Sequence, residues 1–358
     1  MYVPALRWRT GEYQALLRLD PAVKEKIVPL LQIPPVEFDF ETRMNVRTVH
    51  AHVFPFVNRY MNKWRGHAWI SLDDSIALGR MEDGSHVFDH VFDGLRHQAQ
   101  AIPAISLSSD PRTLAAAAKA LKKDGNGVGI IVSLVDLAGA DCRTRITHVL
   151  STLGLPVSDA DLIVDLSAPN FEPYEVLASL LIAKLGLLSH TSIFRNFIMI
   201  STAYPESFEN VKWGTDSITR HDWLFYKDHL VANSRLARRP VYGDYTVVHP
   251  NFTAIDMRRV KPMAKIAYTS KTGWHTRTGL DFRGNRNQMH DHCKEIVTDE
   301  IFGFRGEDFS YGDGYIAKCA RREKGPSNLT IWKQVMINHH ITMVVDDLAS
   351  LCGSTSPF

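Results

Sequence analysis

The chain has little of several things that would narrow its role at once. Four cysteines, Cys142, Cys293, Cys319 and Cys352, are scattered through 358 residues. No pair has the spacing of a zinc knuckle or a redox dithiol, so the thiols read as reduced residues of a cytoplasmic protein. Charge of one sign is nearly absent, with a formal net charge of +2. Bulk charge is therefore excluded as a route to nucleic acid or to a membrane surface. No apolar run approaches the roughly eighteen residues of a membrane span. The opening MYVPAL reads as a strand, without the basic segment and apolar run of a signal peptide. No GxGxxG follows a strand, and the phosphate-loop, nucleophile-elbow and HExxH patterns are missing, so those nucleotide, hydrolase and zincin readings lack support.

What is present is a beat. Short apolar runs, each followed by a helix-like stretch, recur about every thirty residues. The runs are Val3–Leu6, Ile27–Ile33, Ala68–Leu72, Ala101–Leu107, Gly127–Val135, Leu162–Leu166, Phe197–Ser201 and Val241–Val248. They show little alternation, as expected of parallel strands covered on both faces. The helices carry their own punctuation. Thr10 opens the first, Asp110-Pro111 opens an alanine-rich one that stops at Asp124-Gly125, and Asp141, Glu172-Pro173 and Asp216 sit at similar starts. Eight units predict an α/β fold, a (β/α)8 TIM-like barrel over residues 1–250. An open doubly wound sheet is the alternative, and it would need a reversal of strand order. Residues 251–358 read as a C-terminal extension packed on or completing the barrel. In it a hairpin turns at Lys271-Thr272-Gly273, a helix covers Gln288 to Phe302, and Ile341–Val345 favours strand by its β-branching.

A barrel gathers function at the C-terminal ends of its strands. Candidates there are Gln32, Asp73, Asp165, Tyr204, Asp244, Tyr245 and His249, and from the tail Ser310, Asp313, Trp332, Asn338, His339 and His340. Asp73, Asp165 and Asp244 could hold a divalent cation, with His249, His339 or His340 as general base. Each Asp could equally cap a helix. A second cluster, 256–286, carries a local charge of about +6 with Tyr268, Trp274 and Phe282 interleaved and Arg277 among its cations. That mixture suits nucleic acid or a nucleotide, although a solvated hairpin edge would look the same.

YVPALRWRTGEYQALLRL and IVPLLQIPP, with RHDWLFYKDHL, RPVYGDYTVVHP, KIAYTSKTGWHTRTG, FGFRGEDFSYGDGYIAKCA and SNLTIWKQVMINHHITMVV, resemble the "beta protein" family of phage satellites and bacterial defence cassettes. The resemblance runs almost the whole length. Its most specific parts are Gly243-Asp244-Tyr245, Phe309–Asp313 and Asn338–Thr342, while Gln32 stands where the family more often has an acid. The resemblance implies an anti-phage defence component that binds and neutralises or regulates a toxic or nuclease-like partner, in the manner of an antitoxin. It brings no chemistry with it. A metal-assisted phosphodiesterase, sited at the barrel mouth, stays open beside it, as does a barrel that senses a nucleotide.

Overall fold

The computed structural model describes residues 1–97, 100–188, 191–251, 256 and 258–354. Eight strands close into a barrel. They are β1 (Val3–Arg7), β2 (Leu30–Ile33), β3 (Ala68–Leu72), β4 (Ala101–Ser106), β5 (Val128–Ser133), β6 (Ala160–Ser167), β7 (Asn196–Ser201) and β8 (Val241–Asp244). All eight pairings are parallel, and the ring closes where Val3 meets Gly243 and Pro4 meets Asp244. The (β/α)8 expectation holds, and the open doubly wound sheet falls away.

Alternation along each strand sorts the side chains. Val3, Ala5, Leu30, Trp69, Ile102, Ala104, Ile163, Ile198 and Ile200 fill the interior, while their neighbours face the surrounding helices and join a larger core. Two glycines leave room inside. A Cβ on Gly129 would stand 2.9 Å from Trp69, and one on Gly243 would stand 2.7 Å from Ile200 and 2.9 Å from the Val3 carbonyl. At the N-terminal end the interior closes on Asp161, which is 0% exposed. Its carboxylate accepts from Trp69 Nε1 (2.7 Å), Arg195 Nε (2.9 Å) and Nη2 (2.6 Å), and Asn196 Nδ2 (2.8 Å).

The helix signals behave as capping chemistry requires at Asp110, while Asp141 and Pro173 precede their helices without a side-chain cap and Thr10 stands one residue inside its own. The Asp110 carboxylate accepts from the Arg112 and Thr113 amides at the start of Pro111–Asp124, and Gly125 ends that helix with φ 66°. Asp216 departs from the expectation. It lies within a strand, Gly214–Thr219, that leaves the loop after β7 and pairs antiparallel with Gly273–Asp281. The expected hairpin supplies the rest of that sheet, Met263–Thr269 against Gly273–Asp281.

The larger departure is at Ile341–Val345. These residues lie inside one helix, Leu329–Ser354. β-Branching is a weak preference, and tertiary burial overrides it. The helix is enclosed on nearly every side from Gln334 to Val345, by the helices Thr10–Leu17 and Tyr311–Ala320 and the strand Met263–Thr269. Its His340 reaches Asp244 at the seam between β8 and β1. Among the described residues no helix is long and apolar enough to cross a membrane.

Candidate functional site

The inward-facing residues at the strand ends build the mouth. They are Arg7 on β1, Gln32 on β2, Ser71 on β3, Ser106 on β4, and Asp165 and Ser167 on β6, with Tyr245 just past β8. They border a cavity of about 600 Å3. Its floor is apolar (Ala5, Leu30, Ala104 and Ile131) and its walls are polar, the usual make-up of a small-ligand pocket.

Asp165 is a half-buried carboxylate at this pocket. Tyr245 donates its hydroxyl to Oδ2 at 2.6 Å, and the Ser167 amide donates to Oδ1 at 2.8 Å. Burial pushes the carboxyl above its ordinary value, more strongly than these two bonds lower it. Arg7 donates to the carbonyls of His249 and Pro250, and so ties the loop after β8 to the first strand. His249 borders the cavity, and its Nδ1 accepts from the Asn251 amide at 3.1 Å. Burial lowers its imidazole below the usual range.

Glu12, on the first turn of the helix Thr10–Leu17, also borders the cavity although its side chain is only 1% exposed. Oε1 meets Lys333 Nζ at 2.9 Å, while Oε2 has no hydrogen-bond partner among the described residues. An enclosed carboxylate oxygen without a donor is costly, and a ligand N–H or O–H would relieve it. The mouth thus offers donors (Arg7, the serine hydroxyls, Gln32) and acceptors (Glu12, Asp165) around one space. Glu12 and Arg7 escaped the sequence reading. The alternation Val3, Ala5, Arg7 was the available signal for one, and nothing local marks Glu12 apart from an ordinary first-turn acid.

Of the sequence candidates, Gln32, Asp165, Tyr245 and His249 meet at this mouth, beside Asp74, Ser106 and Ser108. Asp73 turns to its own helix instead, accepting from the Ser75 amide at 3.1 Å and its hydroxyl at 2.6 Å. Asp73, Asp165 and Asp244 therefore serve three separate places and cannot share a cation. Among the described residues no group of three or more His, Cys, Asp or Glu side chains could hold a metal ion. Tyr204 is buried against Trp274 and Phe208.

Asp244, His339 and His340 are not mouth residues. Strand alternation points Asp244 out of the barrel, into the seam under the last helix. There Tyr2 donates to its Oδ1 at 2.5 Å, the Thr246 amide donates at 2.9 Å, and His340 Nε2 reaches Oδ2 at 3.0 Å. Burial pushes the Asp244 carboxyl up, but His340 and the hydrogen bonds outweigh it and hold the group below the usual range. The other His340 nitrogen stands 3.0 Å from the Thr269 hydroxyl and 3.5 Å from Trp274 Nε1. Since indole N–H can only donate, this network assigns the imidazole proton to Nε2.

His339, one residue earlier and about 100° around the helix, faces a different partner. Its Nδ1 lies 2.8 Å from Asp313 Oδ2, and Asp313 also accepts from Tyr268 (2.6 Å) and Ser310 (2.5 Å). Asn338 ties Gly312 to Ala15, and Trp332 donates to the Pro326 carbonyl. These residues are enclosed and mutually satisfied, so their place is in the fold.

The basic segment is also corrected. Tyr268, Trp274 and Phe282 are buried, so they present no stacking platform. Arg277 pairs with Glu295, and Arg258 pairs with Asp256 and Glu41.

One further buried acid titrates. Arg220, fully enclosed, donates to Asp347 and to the Ser270 carbonyl at 2.8 Å each. Burial pushes nearby Asp222 from 3.8 up to about 7, against the pull of Arg220. A raised acid stabilises the fold below its unfolded value and loses that contribution as pH rises through the folded one. Asp222→Asn is therefore expected to gain in melting temperature relative to wild type on moving from about pH 5 to about pH 8. Melts at both pH values check this, and an unchanged difference would contradict it.

No curated protein matches the chain. A family model described as Beta protein matches residues 2–346, nearly the whole length. On that match the chain belongs to the Beta protein family.

Proposed function

We propose that the chain is a binding component of an anti-phage defence cassette. It holds and restrains a toxic or nuclease-like protein of the same cassette through the C-terminal face of the barrel. The observation that carries this reading is an apolar rim beside the mouth. The loop after β2 forms a small hairpin, Phe38–Asp39 against Met44–Asn45. It exposes Phe38, Phe40, Val46 and Met44, the last 63% accessible, and Leu78 borders the cavity nearby. Exposed apolar clusters rimmed by charge mark interaction surfaces. The partner's nature comes from the family resemblance. The phosphodiesterase alternative loses its support, because its three carboxylates do not converge.

The test is co-expression with the neighbouring cassette protein. Wild type is expected to co-elute with it. The triple variant Phe38→Ser, Phe40→Ser, Met44→Ser should bind at least about tenfold more weakly, as hot-spot loss predicts, with its melting temperature unchanged. Equal binding by the triple variant would remove the rim from the reading. The cavity and the orphaned Glu12 oxygen favour a ligand-dependent form of the same function, in which a small polar molecule in the mouth sets the affinity for the partner.

A further inference from the structure

A second concavity of about 550 Å3 lies outside the barrel, where the helix Thr10–Leu17 begins beside the start of the last helix. Arg9, Arg47, Arg59 and Lys333 border it, against one acid, Glu37. Lys333 is already matched by Glu12 at 2.9 Å, and the Arg59 guanidinium lies over the Tyr13 ring at 5.5 Å. Burial lowers the His52 imidazole below its ordinary value, and its Nε2 stands 2.9 Å from the Pro34 carbonyl, so it adds no charge at neutral pH. Arg47 and Arg59 against Glu37 leave the balance cationic.

Two observations point to an anion. The helix Thr10–Leu17 opens into the groove at Thr10 and Gly11, and the residue before it, Arg9, makes no side-chain cap. Its first amides have no partner within the helix and favour negative charge. Independently, Trp8 borders the groove, is only 4% exposed, and its Nε1 finds no acceptor among the described residues. Its ring is fixed between Tyr13, Phe56 and Tyr60, with centroids 5.4 to 5.9 Å away. An enclosed indole N–H that can only donate, beside helix amides and forked guanidinium groups, calls for an oxyanion with several acceptors.

We propose that this groove binds a phosphate monoester. Trp8 and the Thr10–Gly11 amides hold its oxygens from the barrel side, and Arg47 and Arg59 close on it from the loop after β2 and the helix that follows. The site is separate from the mouth, and the Glu12–Lys333 pair joins the two.

Tryptophan indole signals test this directly. The full chain, labelled with 15N-tryptophan, gives indole N–H signals from its seven tryptophans, and Trp8→Phe identifies the Trp8 peak by its loss. The probes are inorganic phosphate, AMP and a 5′-phosphorylated oligothymidylate. The Trp8 peak is expected to move saturably while the others stay. The double variant Arg47→Ala, Arg59→Ala should weaken binding by about tenfold or more, the scale of a lost charge-assisted bond. Tighter binding of AMP than of the oligonucleotide assigns the monoester to a free nucleotide, and the reverse assigns it to a strand end. A Trp8 peak that none of the three probes moves at millimolar concentration overturns the proposal. So does equal affinity in the double variant.

Discussion

Asp244→Ala is expected to destabilise the fold by about 3–5 kcal/mol, the combined cost of leaving three buried donors unpaired at about 1–3 kcal/mol each. The substitution strands three donors at once: the Tyr2 hydroxyl, the Thr246 amide and the His340 Nε2–H. None can turn to water, because Tyr2, Thr246 and His340 are all fully enclosed. At about 2 cal/mol/K of unfolding entropy per residue, this cost lowers the melting temperature by about 4–7 °C. Asp244→Asn should be milder. It keeps an oxygen for Tyr2 and the Thr246 amide and leaves only the His340 contact unmatched, since Nδ1 accepts from Trp274 and Nε2 keeps the ring proton. Calorimetric melts of both variants separate the cases. An Asp244→Ala protein that melts within a degree of wild type would show that the seam does not hold the last helix to the barrel. The same logic makes a functional defect in His339→Ala or His340→Ala a folding defect first.

The second large effect belongs to the opposite end of the barrel. Asp161→Ala removes the acceptor for Trp69, Arg195 and Asn196 together. The cost is again about 3–5 kcal/mol, because Trp69 Nε1 is left facing an apolar interior. The two sites share no partner, so their effects should add within about 0.5 kcal/mol. A double variant would then lose about 6–10 kcal/mol, as much as many domains possess in total. Denaturant unfolding of the single and double variants measures the sum. A clear shortfall would mean that the floor and the seam are coupled through the strands between them.

How much of this could be read from the chain differs by feature. The barrel was legible, because eight apolar runs and their capped helices repeat a local pattern that depends on nothing distant. The hairpin at Lys271-Thr272-Gly273 was legible for the same reason. The last helix was misread at Ile341–Val345, because β-branched residues in an almost wholly enclosed segment carry no amphipathic period to set against their strand preference. The site was legible in place and only partly in membership. Asp165 stood out as an acid inside an apolar run. Asp244 looked the same, and only the parity of β8 decides that it faces away from the mouth. The run Arg7–Glu12 shows the difficulty best. It sends Arg7 and Glu12 to the mouth cavity and Trp8 to Gly11 to the outer groove, a division that no spacing rule reveals before β1 and its helix are placed.

The last helix also governs how the protein can be made. Asn338 bonds to Ala15 across 323 residues, and His340 reaches β8 across 96. On the ribosome, the first and eighth strands emerge long before the segment that covers them. Until that segment leaves the exit tunnel, Tyr2 and Asp244 lie under an uncovered wall, and the nascent chain exposes the kind of apolar surface that chaperones bind. A stop codon between Leu329 and His340 would leave the molecule permanently at that stage.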